Sequence, residues 1–364
     1  MIKQSPRIVF VINDITLSAG TERAVINLAG SFVENNYRVK MISTYSSNGV
    51  PFFDFDKRIE IVHLGINTEQ SLLGKIKFYY KLSVLIEKNV EDGDVLIGTN
   101  HAVNSIFPRV NKRKKIISIG CEHMDYWAAT KSTQLIRKLM YPKLDAVVVL
   151  TNDDKIQYNK EIPAAKCFVI PNQYSFLPEE TAKYESKTVI AIGRLERQKG
   201  FDILLDDLHI LIKNKPDWNF KIIGNGSMKD LLQTKITEYG LSNVEILPPT
   251  KNVKDEFLNS SIYLMTSRNE GLPMVLLEAK ACGLPIVSYN CPTGPKDLIW
   301  ENDGYLISLG DKTSMNQSLE RLMNDVDLRK SMGLNARHNV QKFSPKNILD
   351  SWEALLNNNV SQKL

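Results

Sequence analysis

The sequence has little of what marks an exported, zinc-binding or membrane-spanning protein. Its 364 residues include only four cysteines, Cys121, Cys167, Cys282 and Cys291, and no two of them form a C-x-x-C pair. This usage indicates a reducing compartment and argues against a zinc site. No run approaches the roughly 18 apolar residues that a membrane span needs, and the first residues lack the long apolar region of a signal peptide. We therefore expect a cytoplasmic protein.

Charge of one sign is not in large excess either. The 46 Lys and Arg residues and 41 Asp and Glu residues give a formal net charge of +5. Residues 1–172 hold 23 of the basic and 17 of the acidic side chains, so the positive excess lies in this half. An anionic membrane face or a phosphorylated lipid could attract it, although an ordinary soluble protein could carry the same charge. Nucleic acid is not an expected partner, because no recognition motif accompanies the basic residues.

The order of apolar runs and amphipathic segments predicts an α/β protein. Strands and helices alternate throughout, which favours two doubly wound parallel sheets. A chain of 364 residues is too long for one typical domain. The polar stretch 173–187, with Pro178 inside it, is typical of a linker. We therefore predict a first domain at 1–172 and a second at 173–345.

One stretch, residues 268–278, has the most informative local pattern. It follows an apolar run at 262–265 that predicts a buried parallel strand, and it leads into a helix with Pro273 at its first position. A helix start leaves backbone N–H groups unpaired at the positive end of the helix dipole, which favours an anion such as phosphate. Glu270 in the turn and Glu278 two helical turns later would reach one cleft at different depths. The alternative is an ordinary strand–helix turn with two solvated acids.

These two acids, separated by seven residues with Glu-Gly-Leu-Pro at the front, resemble the signature of the retaining glycosyltransferases of family 4. That family has the GT-B architecture, which consists of two facing Rossmann-like domains with a cleft between them. The resemblance implies that Glu270 contacts the transferred sugar and that Glu278 binds the ribose of the nucleotide. It also implies that the backbone between the two acids holds the sugar and the distal phosphate through its N–H groups. That segment consists of Gly271, Leu272, Pro273, Met274 and Val275.

A second signature of the same family stands at the start of the second domain. Residues 193–200 read Gly-Arg-Leu-Glu-Arg-Gln-Lys-Gly and follow a predicted strand at 188–192. The resemblance assigns Arg194 and Lys199 to the diphosphate, where a planar guanidinium and a second cation would neutralise the leaving group. Without the resemblance they could equally be two surface cations in a loop. Members of the family also place a glycine-rich loop, such as the one around Asn225, near the nucleotide.

The first half carries weaker parts of the resemblance. A polar loop after the first predicted strand contains Gly20, and a glycine there lets the backbone approach a ligand. Family members usually have two glycines at this point, and Ala19 replaces the first. The resemblance also places His123, which follows a predicted strand at 116–119, beside the donor sugar, although a lone His after a strand is more often structural. Candidates for the acceptor side are its neighbours Asp125, Tyr126 and Trp127.

Two D-x-D triplets, at 54–56 and 92–94, could suggest metal ligands. Both stand in predicted loops before apolar strands. We interpret them as solvated loop acids, and we expect that the protein requires no metal.

Residues 131–144 predict a basic amphipathic helix with Leu, Ile and Met residues on one side. Such a helix could lie on an anionic membrane. It could also be an ordinary surface helix whose apolar face packs into the core. Both interpretations stay open at this point.

Taken with the resemblance, these residues favour a retaining glycosyltransferase. It would move a sugar from a nucleotide-sugar, with UDP as the expected nucleotide, to a saccharide linked to a polyprenyl diphosphate. Such a reaction builds bacterial surface polysaccharide of the O-antigen or capsule type at the cytoplasmic face of the inner membrane, and no cofactor besides the donor is expected. Alternatives are a sugar-nucleotide epimerase of the same fold and a non-catalytic scaffold that binds nucleotide-sugars. In the GT-B fold the last helix commonly crosses back, so residues 346–364 are expected to join residues 1–172.

Overall fold

The computed structural model describes residues 5–45, 49–66 and 72–363. The chain divides into two compact units, and each has one sheet of its own. Unit 1 consists of Met1–Gln173 and Pro345–Leu364, and unit 2 consists of Tyr174–Ser344. All strand pairs in both sheets are parallel. The prediction of two doubly wound parallel sheets is confirmed.

Unit 1 contains a seven-stranded sheet in the order β3-β2-β1-β4-β5-β6-β7. Its strands are β1 (Ile8–Ile12), β2 (Val39–Ser43), β3 (Glu60–His63), β4 (Val95–Gly98), β5 (Ile117–Cys121), β6 (Ala146–Val149) and β7 (Cys167–Val169). Its helices are α1 (Gly20–Glu34), α2 (Leu72–Lys88), α3 (His101–Asn104), α4 (Phe107–Asn111), α5 (Lys131–Met140), α6 (Asn152–Glu161) and α14 (Pro345–Lys363). Short 3-10 turns lie at Tyr126–Ala128 and Tyr141–Lys143.

Both faces of this sheet are covered, because successive residues of a strand point to opposite faces. In β1, Ile8, Phe10 and Ile12 belong to one apolar core, and Val9 and Val11 belong to the other. The first core also takes in residues of α1 and α14, so the end of the chain completes the packing of the unit that begins it.

Unit 2 contains a six-stranded sheet in the order β10-β9-β8-β11-β12-β13. Its strands are β8 (Thr188–Ile192), β9 (Asn219–Ile223), β10 (Val244–Leu247), β11 (Ile262–Met265), β12 (Ile286–Asn290) and β13 (Gly304–Ser308). Its helices are α7 (Phe201–Asn214), α8 (Lys229–Tyr239), α9 (Val253–Leu258), α10 (Met274–Ala281), α11 (Pro295–Leu298), α12 (Lys312–Asn324) and α13 (Val326–Asn339). Short 3-10 turns lie at Arg197–Lys199 and Val340–Phe343.

The structure corrects the interpretation of one D-x-D triplet. Asp94 is buried, and its carboxylate accepts hydrogen bonds from Arg7 Nη2 at 2.7 Å and Arg7 Nε at 3.1 Å. It is therefore a structural acid that anchors the start of β4, because a buried charge needs a partner. The other triplet is a loop feature, in which Asp56 forms an exposed ion pair with Arg58.

The structure also corrects the predicted helix at 131–144. The α-helix α5 ends at Met140, and Tyr141–Lys143 form a 3-10 turn. Leu135 and Leu139 are exposed, so this part of the apolar face does not pack into the core. No helix among the described residues is both long and apolar enough to cross a membrane.

Candidate functional site

In unit 2 the sheet order changes direction at β8, which lies between β9 and β11. Loops that follow parallel strands meet at the carboxyl edge of a sheet, and ligands of such sheets bind where the order reverses. The predicted residues Lys199, Asn225 and Glu270 follow β8, β9 and β11 in turn. The fold of unit 2 therefore carries these three residues on loops at one edge.

The loop after β11 is braced by the loop after β12. Backbone N–H of Glu270 donates to Pro292 O at 2.7 Å, and N–H of Thr293 donates to Glu270 O at 3.0 Å. The Thr293 hydroxyl lies 3.2 Å from Glu270 O and 3.3 Å from Gly271 O. Gly294 has φ +89°, and a Cβ at this position would lie 2.1 Å from Gly271 O, so only glycine fits. The turn that carries Glu270 is thus held on both sides of its backbone.

Helix α10 begins directly after this turn. Pro273 was predicted to be the first helical residue, but it is the N-cap residue, one position earlier. It has no N–H that needs an acceptor. Within this fully described stretch, the backbone N–H groups of Gly271, Met274 and Val275 have no hydrogen-bond acceptor. They lie at the positive end of the helix dipole, which is the arrangement that suits a phosphate or a sugar hydroxyl.

The Glu270 carboxylate is buried and held by two donors. Lys199 Nζ lies 2.7 Å from Glu270 Oε1, and the Ser267 hydroxyl donates to the same oxygen at 2.6 Å. The interpretation of Glu270 as a solvated acid is therefore wrong. Lys199, which the sequence assigned to a diphosphate, lies against this carboxylate, and the site combines a carboxylate with a cation.

Arg268 fastens the loop after β8 to the loop after β11. Its guanidinium makes two bonds of 2.8 Å to the Asp202 carboxylate at the start of α7, and Nη1 donates to Arg197 O at 2.7 Å. Its backbone N–H donates to Gln198 O at 2.8 Å. These bonds fix the short turn that ends at Lys199, and a bidentate pair is geometrically specific.

Arg194 and Asn225 are both exposed at this edge. Arg194 Nη2 donates to the Gln198 side chain at 3.2 Å, and Gln198 in turn donates to Asn269 O at 3.1 Å. The Asn225 carbonyl accepts from the Leu195 N–H at 2.8 Å. The loop after β9 is therefore attached to the loop after β8, and both side chains remain accessible to a ligand.

Glu278 lies on α10 and is completely buried. Its Oε1 accepts from the Ser175 hydroxyl at 2.5 Å. Burial raises the pKa of the Tyr263 hydroxyl, and the charges of Glu270 and Glu278 raise it further. The charges of both carboxylates thus raise the pKa of the same tyrosine of β11, and neither carboxylate is solvated.

In unit 1 the predicted residues follow β1 and β5. Gly20 is exposed and is the first residue of α1, with Ala19 as N-cap. His123 is half-buried, and burial lowers its pKa to about 4, so its imidazole is neutral at physiological pH. Asn100 Nδ2 donates to Asn13 Oδ1 at 2.9 Å, which joins the loops after β4 and β1.

The acceptor-side candidates separate in the structure. Trp127 is exposed. Tyr126 is fully buried and is therefore not accessible to an acceptor, contrary to the prediction. Asp125 is buried as well and accepts from the Trp127 N–H at 3.2 Å, which caps the turn. Of the three, only Trp127 has a surface that an acceptor could contact.

The comparisons with known proteins settle the family. The family described as "Glycosyl transferases group 1" matches residues 147–339. The chain belongs to this family. It is 30% identical over 357 residues to an uncharacterized glycosyltransferase of Haemophilus influenzae, with 96% of this chain and 99% of that protein covered.

Two relatives with specific names also match this glycosyltransferase over nearly their whole length. It is 30% identical to the amylovoran biosynthesis glycosyltransferase AmsD of Erwinia amylovora, with 96% of this chain and 99% of the relative covered. It is 27% identical to an α-1,4-N-acetyl-D-galactosaminyltransferase of Campylobacter jejuni, with 96% and 98% covered. The Campylobacter enzyme is named for an acceptor that is a saccharide on diphospho-undecaprenol.

Solved structures agree on the fold. The glycosyltransferase has a TM-score of 0.83 to TarM at 16% identity, with 97% of this chain and 99% of that chain covered. It has a TM-score of 0.74 to the lipopolysaccharide outer core galactosyltransferase WaaB at 21% identity, with 98% and 100% covered. These neighbours show the GT-B fold, as the resemblance implied.

Sequence reasoning missed several residues that support the site. Ser267 stands directly before the stretch 268–278, Arg268 is its first residue, and Gln198 lies inside the second signature, but none of them was assigned a role. Glu122, next to His123, forms an ion pair with Arg137 and also accepts from Tyr141. A polar residue directly before a predicted site residue was the available signal for Glu122. In the described part of the chain no group of three metal-ligating side chains is found, and metal independence stays a prediction.

Proposed function

We propose that this glycosyltransferase is a retaining enzyme of family 4 that moves a sugar from a UDP-sugar to a saccharide carried on polyprenyl diphosphate. The reaction would serve bacterial surface-polysaccharide synthesis. The names of the relatives support this, since one acts in amylovoran biosynthesis and another on a diphospho-undecaprenol saccharide. Solved neighbours were crystallised with UDP, among them TarM and HepE.

One observation carries the proposal. Three backbone N–H groups without an acceptor lie in the turn before α10 and in its first turn, next to the Glu270 carboxylate, which is buried and pairs with the part-buried Lys199. A donor phosphate placed on the N–H groups would lie beside both a carboxylate and an ammonium group. The same place can therefore hold the negative charge of a diphosphate and the hydroxyls of a sugar.

The proposed reaction step needs no cofactor. The acceptor hydroxyl oxygen bonds to the anomeric carbon while the bond from that carbon to the β-phosphate oxygen breaks. Both electrons of the broken bond leave with the diphosphate, and the proton of the acceptor hydroxyl passes to the departing phosphate oxygen. Acceptor attack on the face that the diphosphate leaves retains the anomeric configuration.

Each residue has a role in this proposal. Arg194 and Lys199 with the N–H groups of α10 stabilise the leaving diphosphate as its charge develops. Glu270 contacts the transferred sugar, and Glu278 binds the ribose. Asn225 completes the nucleotide-binding part of unit 2, the resemblance assigns Gly20 and neutral His123 of unit 1 to donor binding, and no metal takes part.

Thermal unfolding with added nucleotides tests the donor site. UDP and one UDP-sugar are expected to raise the midpoint more than GDP does, with the same shift when Mg²⁺ or Mn²⁺ is added, because binding to the native state stabilises it. A larger effect of GDP would overturn the choice of nucleotide. A shift that requires metal would overturn metal independence, and no response to any nucleotide would overturn the donor site itself.

Acceptor dependence separates transfer from the other uses of such a site. A transferase forms a new glycosidic bond only when an acceptor is present, whereas an epimerase converts the sugar nucleotide alone. The relatives are named glycosyltransferases and so favour neither an epimerase nor a scaffold. Epimerised sugar nucleotide in an assay without acceptor would overturn the proposed reaction.

A further inference from the structure

Helix α5 leaves part of its apolar face exposed, although Met140 packs against the core. Leu135 and Leu139 lie on one stripe of the helix, and each is 59% exposed. On the opposite side Arg137 is only 2% exposed. A surface helix usually buries such leucines and exposes its charged residues, because the free energy falls when apolar side chains leave water.

A buried ion pair fixes this orientation. Arg137 binds the Glu122 carboxylate at the end of β5 and donates to Tyr126 O at 3.3 Å. Its guanidinium also lies over the rings of Tyr126 at 5.6 Å and Tyr158 at 5.7 Å. Turning the helix to bury its leucines would leave the Glu122 carboxylate buried without this partner, which strongly destabilises the folded state. The exposed leucines are therefore a fixed feature of the folded unit.

The charged residues of the segment that carries these leucines are all basic. Residues 126–144 contain Lys131, Arg137, Lys138 and Lys143 and no acidic residue. Lys131 stands one turn before Leu135 on the same stripe, and it is exposed, as is Lys143. Lys138 is exposed too and pairs with Glu161 of α6 at 2.8 Å. Apolar side chains framed by lysines are complementary to a surface that is anionic outside and apolar beneath.

We propose that α5 docks unit 1 on an anionic lipid bilayer. Leu135 and Leu139 enter the boundary between headgroups and acyl chains, and Lys131 and Lys143 contact lipid phosphates. The choice of a lipid surface over a protein partner rests in part on the proposed function, since a polyprenyl-linked acceptor is held in a membrane. The surface itself is defined by the exposed leucines and lysines alone.

Vesicle co-sedimentation of the full chain tests the docking. We expect binding to vesicles with phosphatidylglycerol and much weaker binding to phosphatidylcholine vesicles. The double variant Leu135→Ser/Leu139→Ser should bind the anionic vesicles roughly tenfold or more weakly, because it loses two apolar anchors. Ile210→Ser is the matched control, since Ile210 on α7 of unit 2 is 60% exposed and should not matter. Equal binding by the double variant and wild type would overturn the proposal.

A fluorescent label gives a second, local readout. All four native cysteines are buried, and burial raises their thiol pKa values, so a cysteine introduced at the surface is labelled selectively. An environment-sensitive dye on Leu139→Cys should shift to the blue with anionic vesicles, and the same dye on Ile210→Cys should not. A dye at position 139 that ignores vesicles but shifts with protein concentration would assign the surface to a second copy and overturn the proposal.

The outcome is independent of the donor site. Vesicle binding uses no sugar nucleotide, and the leucine variant should keep the UDP-induced thermal shift of wild type. Loss of vesicle binding with an intact UDP response is the expected result for this variant. A wild-type protein that binds UDP but no vesicle would overturn the docking surface alone.

Discussion

At the scale of single residues, the candidate site depends on how Glu270 is held. Two donors, Lys199 and Ser267, reach the same carboxylate oxygen. The second oxygen can then turn to a ligand while the first keeps the side chain in place. A buried carboxylate with only one anchor would have more rotational freedom.

Lys199→Ala should therefore reduce turnover far more than stability. We expect a loss of roughly 100-fold or more in kcat/KM, because a cation beside the leaving group acts mainly in the transition state. Stability should fall by only about 1–3 kcal/mol, since Ser267 still donates to Glu270. Donor-saturated kinetics and urea unfolding of the same preparations measure the two effects. Arg197→Ala, an exposed cation two residues earlier, is the control, and equal loss of activity and stability in Lys199→Ala would contradict the assignment.

Thr293 is a positioning residue that acts through the backbone of the Glu270 turn. Thr293→Val keeps the shape of the side chain but removes the hydroxyl that two carbonyls accept. We expect UDP affinity to fall roughly 3- to 10-fold, in line with one net hydrogen bond, while Thr293→Ser stays near wild type. Titration calorimetry with UDP distinguishes the two. Similar losses in both variants would assign the effect to packing and not to the hydroxyl.

His123 predicts a pH dependence of stability. Its pKa is lowered by burial from 6.5 to about 4, so the unfolded chain takes up the proton first as the pH falls. Above pH 6.5, the pKa of this group in the unfolded chain, the free energy of unfolding keeps its full value. It decreases as the pH falls from 6.5 towards 4. Between pH 7 and pH 5 the free energy of unfolding of wild type should fall by about 2 kcal/mol more than that of His123→Gln. Urea unfolding of both proteins at each pH measures this, and a constant difference across the range would contradict the burial of His123.

The sequence predicted those site residues whose signal is local. Glu270 and Glu278 stand in a strand–turn–helix pattern that can be recognised from neighbouring residues in the chain. Lys199 stands in a second pattern of the same kind. The partners of these residues could not be found in this way. Arg268 reaches Asp202 across 66 positions, and only the folded sheet brings these two together. Roles in donor binding remain predictions for all of them.

At the scale of helices and strands, buried strands were predicted best. Strands β8 and β11 have the predicted bounds, because continuous apolar runs between polar turns leave little choice. Helix α6 was missed, since its sequence Asn-Asp-Asp-Lys-Ile-Gln-Tyr-Asn-Lys-Glu has no apolar stripe. For α5 the periodicity predicted an apolar face but not which part of that face is exposed, because nothing in the sequence marks Glu122 as the partner of Arg137.

The buried pair of α5 yields a prediction with a matched control on the same helix. Arg137→Ala should cost about 3–5 kcal/mol, because Glu122 would stay buried without its partner. Lys138→Ala, one residue later, should cost less than about 1 kcal/mol, since its pair with Glu161 is partly exposed. Urea unfolding of both variants measures the difference. Equal costs would mean that the Glu122–Arg137 pair does not hold the helix.

At the scale of the whole molecule, α14 belongs to unit 1 although it follows unit 2 in the chain. Trp352 is buried in the first core and packs edge-on against Phe32 with ring centroids 6.3 Å apart. Trp352→Ala should destabilise unit 1 by about 3–5 kcal/mol, as truncation of a buried aromatic residue does. Hydrogen exchange should accelerate in β1 and β5 and stay unchanged in β8 and β11. Trp127→Ala, at an exposed position, is the control, and faster exchange in both sheets would contradict two separately stabilised units.

The position of α14 also sets the order in which a ribosome can complete the two units. Unit 2 is one continuous segment, Tyr174–Ser344, and it can close as soon as it has emerged. The sheet of unit 1 emerges earlier but lacks the five core residues that α14 supplies, Ile348, Leu349, Trp352, Leu355 and Leu356. At 5–20 residues per second, synthesis of the intervening segment takes roughly 10 to 30 seconds. During that time the apolar surface under α14 is open to chaperones, and the unit that is synthesised first is finished last.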